Sequence, residues 1–148
     1  MWRGIAKGLL VVELVGIAYL VLNPSAATPT GAVYRVHYFP VGHGIPGWAA
    51  DPSVWEFLLN VALFVPLTFL AHRLWPRVTW LGWTLAGAGL SALLELAQRL
   101  VLEERSPTVR DLVANSTGAL LGAGLAATVL LLVEWRRQPV TAAAPRSS

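Results

Sequence analysis

The sequence predicts an all-α integral membrane protein, a four-helix bundle with a long loop after the first helix. Two observations carry the prediction. Of 148 residues, 55% are hydrophobic and only 13% are charged, against roughly 25% charged in a soluble domain. The apolar residues are gathered into four runs of near-membrane-spanning length, with tryptophans and basic residues at their ends; about 20 residues suffice to cross a bilayer. A third observation concerns function. Polar side chains intrude into these runs, where each needs a partner or a water-filled cavity.

Composition excludes several functions. The absence of cysteine removes disulfides, thiolate metal sites and a cysteine nucleophile. The net charge of +3 comes from arginines scattered along the chain, so no nucleic-acid-binding patch is visible. Nothing points to a cofactor or a metal. His37 and His43 lack the further ligands that a metal site requires.

The first run, Ile5 to Leu22, follows Arg3 and Lys7. It is longer than the core of a signal peptide, about 7–15 residues, and contains Glu13, so we read it as a retained helix (5–22). Residues 23–53 hold Pro24, Pro29, Pro40, Pro46 and Pro52, which argue against regular structure. Tyr34, Tyr38, Phe39 and Trp48 fit a loop at the membrane interface. The second helix is expected over 54–72, with Ser53 as N-cap and Glu56 completing a capping box. Asn60 lies one turn deeper, and Pro66 removes the backbone bond to the carbonyl of Ala62.

The third helix is expected over 78–102, with Gly82, Ala86, Gly89, Ala88 and Ser91 as small residues for close helix contact. Glu95, Gln98 and Arg99 share one face toward its end. A short turn containing Arg105 leads to the fourth helix, 111–134. There Asp111, Asn115, Gly118 and Gly122 form one stripe. Gly118 and Gly122 make a GxxxG pair, read as packing within the bundle, with a helix-mediated oligomer as the other option. The membrane domain covers residues 1–138; the Ala-, Pro- and Ser-rich stretch 139–148 reads as a disordered tail.

Together, Asn60, Glu95, Gln98, Arg105, Asp111 and Asn115 form a polar cluster expected at one end of the bundle. Glu95, Asp111 and Glu56 are the candidates for acid or base chemistry, and no standard hydrolase motif accompanies them. Arg105 suits a phosphate or carboxylate because its guanidinium offers a rigid fork. Three function classes fit: binding of an anionic, lipid-linked envelope ligand; catalysis on a lipid-linked substrate; or an accessory role in a membrane complex.

Three segments resemble the VanZ-like family of small membrane proteins. They run from Asn60 to Leu67 (N-x-x-L-F-x-P-L), from Ser91 to Gln98 with E-x-x-Q at its end, and from Arg110 to Gly122 (D-x-x-x-N-x-x-G-x-x-x-G), with Arg105 in the turn between the last two. The resemblance covers about Asn60 to Gly124. It implies a multi-pass protein of a bacterial cell membrane. The namesake of the family is associated with resistance to the lipoglycopeptide teicoplanin, so the resemblance implies a link to antibiotic resistance and to an envelope ligand or the glycopeptide itself as partner.

With four spans, both termini share a side with Arg3, Lys7, Arg73, Arg77, Arg136, Arg137 and Arg146, and the other side holds Arg35, Arg99, Arg105 and Arg110. The positive-inside rule then places both termini in the cytoplasm. Cysteines substituted at Gly42 and Ser106 are therefore expected to react with an impermeant thiol reagent added outside the cell. Reaction only after the inner face is opened would reverse the orientation.

Overall fold

The computed structural model describes residues 2–22, 51–101 and 109–138. Four helices make up these segments: α1 (Trp2–Leu22), α2 (Pro52–Leu74), α3 (Trp80–Val101) and α4 (Val109–Arg137). They form an all-α bundle. Three of them, over Ser53–Leu74, Trp80–Leu100 and Val109–Arg137, are long and apolar enough to cross a membrane. The loop after α1, the α3–α4 turn with Arg105 and the C-terminal tail lie outside the described residues, as do His37 and His43.

The start of α2 differs from the sequence expectation. Asp51, not Ser53, is the N-cap, and its side chain accepts the Ser53 backbone N–H at 2.9 Å. Pro52 then occupies the first helical position, where its fixed φ suits the helix and its missing N–H costs nothing. No capping box forms, and Glu56 is exposed. At the other end α2 continues through Pro66 to Leu74, and the Trp75 N–H closes on the Ala71 carbonyl at 2.9 Å. Thr79 caps α3 by accepting the Gly82 N–H at 3.1 Å. Between these caps the Trp83 indole donates to the Trp75 carbonyl at 3.4 Å, which ties the α2–α3 turn to the first turn of α3.

The packing is inverted relative to a soluble bundle. Leu85, Leu93 and Leu100 are 65%, 65% and 78% exposed, whereas the buried residues of α4 are Ala114, Asn115, Gly118, Ala119, Gly122, Ala123 and Ala126. Large apolar side chains face outward, as a lipid environment allows, and small ones let backbones approach. α4 is central: it packs most extensively against α2 and next against α3. Along the α2–α4 seam, Gly118 meets Val61 and Phe64, and Gly122 meets Val65 and Thr68. Residue numbers rise together along this seam, so α2 and α4 run parallel.

A Cβ on Gly118 would lie 2.9 Å from the Phe64 Cβ and closer still to the Val61 carbonyl oxygen; one on Gly122 would collide with the Val65 carbonyl oxygen. The α3–α4 contact is antiparallel and is made by Gly87, where a Cβ would lie 2.5 Å from the Ala119 Cβ and 3.2 Å from Thr68 Cγ2. Gly87 and Ser91, one turn apart, therefore form the close face of α3. This corrects the expectation for Ala86, which is exposed, and for Gly89, which meets nothing within 4 Å. α1 lies against α2 and α3. Its Ala6, Leu10 and Ile17 join Phe64, Leu67, Leu70 and Leu74 in an apolar core cluster, and Arg3 Nη2 donates to the Leu74 carbonyl at 3.1 Å.

Gly122 and Gly124 make opposite demands, because no atom lies within 4 Å of a Cβ on Gly124. Gly122→Ala is expected to destabilise the bundle by about 1–3 kcal/mol, the usual range for overpacking. Gly124→Ala should be neutral or stabilising by up to about 1 kcal/mol through helix propensity. Equilibrium unfolding in mixed micelles measures both, and equal effects would contradict this seam.

Candidate functional site

The polar residues of the bundle are arranged as successive levels along the α2–α3–α4 seam. The outermost is set by Asp111, in the first turn of α4, where the partial positive charge of a helix N-terminus favours a carboxylate. Asn60 Nδ2 of α2 donates to Asp111 Oδ1 at 2.7 Å, and both residues are half-buried. One turn deeper, Asn115 Nδ2 donates to Ser91 Oγ of α3 at 2.9 Å, with Asn115 only 8% exposed and Ser91 fully buried. One turn further, the buried Thr68 hydroxyl lies 3.0 Å from both the Phe64 and the Ala119 carbonyl oxygens and shares its proton between them. Helix propensity does not explain these positions; at each level at least one hydrogen bond crosses from one helix to another.

Antiparallel register places Glu95. Gly87 faces Ala119 and Ser91 faces Asn115; a further turn along both helices brings Glu95 level with Asp111. Glu95 is half-buried, with its Oε2 shut off from solvent. Residues from α2, α3 and α4 thus reach one level: Asn60, Glu95 and Asp111, with Asn115 and Ser91 directly beneath. Gln98, a turn beyond Glu95, is half-buried, whereas Arg99 is exposed. Arg110 reaches over the end of α2, donating to the Ser53 carbonyl and lying 6.0 Å from the centre of the Phe57 ring. Glu56 is exposed, and Arg105 lies outside the described residues.

This level is rich in acceptors. It offers two carboxyl groups and the Asn115 carbonyl, whose Oδ1 is buried and has no hydrogen-bond partner among the described residues. A buried polar atom left unsatisfied costs about 1–3 kcal/mol, so a water or a ligand group that donates to Asn115 has a free-energy advantage there. The chemistry open to the site is hydrogen-bonding recognition, with a carboxylate held in place by an amide.

Three participants were not singled out for this role from the sequence. Ser91 was read only as a small residue, although a serine one turn before Glu95 on a buried face is a usable signal. Thr68 stands one turn after Phe64, the spacing at which a threonine bonds back to the helix. Gly87 carries no signal that separates it from its neighbouring glycines. At the opposite end of α2, His72 is buried, with Nδ1 unpartnered among the described residues.

The Asn60–Asp111 bond joins parallel helices at their outer turns and should be measurable in a double-mutant cycle. Asn60→Ala, Asp111→Ala and the double variant are expected to show a coupling of about 1 kcal/mol, in the range for side-chain hydrogen bonds between membrane helices. Unfolding in mixed micelles reads it, and strict additivity would mean that the bond adds nothing to the bundle.

Comparison with known proteins bears on the whole chain. The VanZ/LLP1 family model matches residues 9–132, which includes most of α1, all of α2 and α3, and most of α4. No curated protein and no solved structure matches the chain. The family match extends across the bundle and contains every side chain of the polar levels. With three helices able to cross a membrane, the chain is a membrane protein that belongs to the VanZ/LLP1 family.

Proposed function

We propose that the protein binds a polar, lipid-linked or glycopeptide ligand of the bacterial envelope at the outer face of the cell membrane, and so lowers sensitivity to teicoplanin-type lipoglycopeptides. The observation that carries this reading is the convergence of Asn60, Glu95 and Asp111 from three helices on one level, closed by the 2.7 Å Asn60–Asp111 bond. Amides and carboxyls at such a depth are costly unless satisfied, and this set is placed where a ligand entering from the end of the bundle meets it. The level lies at the end away from the basic residues of α1, α2 and α4, which the positive-inside rule assigns to the cytoplasm. α1 is taken as a fourth span, which keeps both termini on that side.

In sequence Arg105 lies between Glu95 and Asp111, in the connection from α3 to α4. A guanidinium there supplies the donor that a phosphate or carboxylate of the ligand requires, while the carboxyl groups and the Asn115 carbonyl take its donors. The family's association with teicoplanin resistance supplies the biological context.

Expression in a teicoplanin-sensitive host tests the proposal. Wild type should raise the inhibitory concentration several-fold. Glu95→Gln and Arg105→Ala, at matched membrane levels, should lose most of that protection. Equal protection by all three removes the polar cluster from the mechanism, and no protection by wild type removes the resistance role.

A further inference from the structure

We propose that the bundle carries a second site, a groove for one acyl chain of an anionic phospholipid, at the end opposite the polar levels. The groove is open to one side, runs between the first turn of α3 and α4 from Leu120 to Leu131, and offers about 600 Å³. Trp80, Leu121, Leu125 and Leu131 wall it, and Gly124 forms its floor. A Cβ on Gly124 would meet no atom within 4 Å, so the opening there is real space and not a close helix contact. The one hydroxyl in the lining, on Thr128, already donates to the Gly124 carbonyl at 3.0 Å. Apart from this hydroxyl and the Trp80 indole N–H the lining side chains are apolar, so the occupant they fit is hydrocarbon.

Charge selects the kind of hydrocarbon. α2 ends on Arg73 and α4 on Arg136 and Arg137. Arg77 stands three residues before Trp80, and Arg3 is held at this end by its bond to the Leu74 carbonyl. Glu134 is the sole acidic residue among the described ones at this end. Trp80 lies at the mouth of the groove, at the depth where indoles favour headgroups. A chain in the groove thus has its headgroup beside arginines, and basic residues between membrane helices on the cytoplasmic side recognise anionic lipid. The same charges disfavour a second copy of this chain in the groove, since a parallel pair would bring Arg136 and Arg137 of both copies together.

Native mass spectrometry of the full chain, equilibrated with equal phosphatidylglycerol and phosphatidylcholine, tests the site. Wild type should retain phosphatidylglycerol preferentially. Gly124→Leu, which fills the groove from an open position, should lose the bound lipid while keeping the wild-type unfolding temperature. Arg136→Gln with Arg137→Gln should keep a lipid but lose the preference, by about fivefold per arginine, the equivalent of about 1 kcal/mol each. Equal retention of both lipids by wild type, unchanged retention in Gly124→Leu, or a lipid-free pair of chains that Gly124→Leu dissociates would each overturn the proposal. None of these outcomes bears on the polar levels at the other end.

Discussion

Close backbone approach between α2 and α4 is the constraint on which the structure depends. In hydrocarbon, burying a leucine against another helix gains nothing over burying it in lipid, so association rests on packing and on hydrogen bonds. Gly118 and Gly122 meet this condition by placing their bare Cα atoms against Val61 and Val65. The outward leucines follow from the same reasoning, because they lose nothing by facing lipid. With α2 and α4 this close and parallel, Asn60 and Asp111 come within hydrogen-bond distance. Without the glycine seam these two groups would need other partners at the same depth.

The second constraint is polar satisfaction. Thr68 lies where all three helices meet, beside Gly87 and Gly122, and its hydroxyl answers to a carbonyl of its own helix and one of α4. Ser91 and Asn115 repeat the arrangement one turn outward with α3 in place of α2. The sequence of levels turns a row of isolated polar residues into a connected seam, and the Asn115 Oδ1 is the acceptor that the seam leaves open. The bundle also separates its charges. Carboxyl groups gather where α2 and α4 begin, and arginines gather where they end, so the two ends present different chemistry to the two faces of a membrane.

Much of this was legible in the chain itself. Glu95, Asp111 and Asn115 lie at one helical spacing or another inside apolar runs, and that spacing alone requires them to turn inward. Pairings were less legible. Asn60 had several potential partners, and the register that selects Asp111 comes from contacts far apart in sequence. The close face of α3 was read as Gly82, Ala86, Gly89, Ala88 and Ser91; of these the structure uses Ser91, with Gly87 beside it, because a helix in lipid has small residues on several faces and composition does not rank them. The N-cap of α2 was placed two residues late, since Ser53 with Glu56 and Asp51 with Pro52 are both valid start signals and only the backbone geometry distinguishes them.

The sequence by itself determined the all-α membrane class and the four helices of the described residues, because hydropathy, span length and helical periodicity are local properties that a bilayer enforces residue by residue. The tertiary structure alone decided which helices touch and in what register: α4 between α2 and α3, Gly118 against Val61, Asn60 on Asp111, and Asn115 on Ser91. The physical reason is that helix pairing in a membrane is set by shape over many weak contacts. A small residue announces that close approach is possible, but its partner is chosen by the complementary surface of another helix.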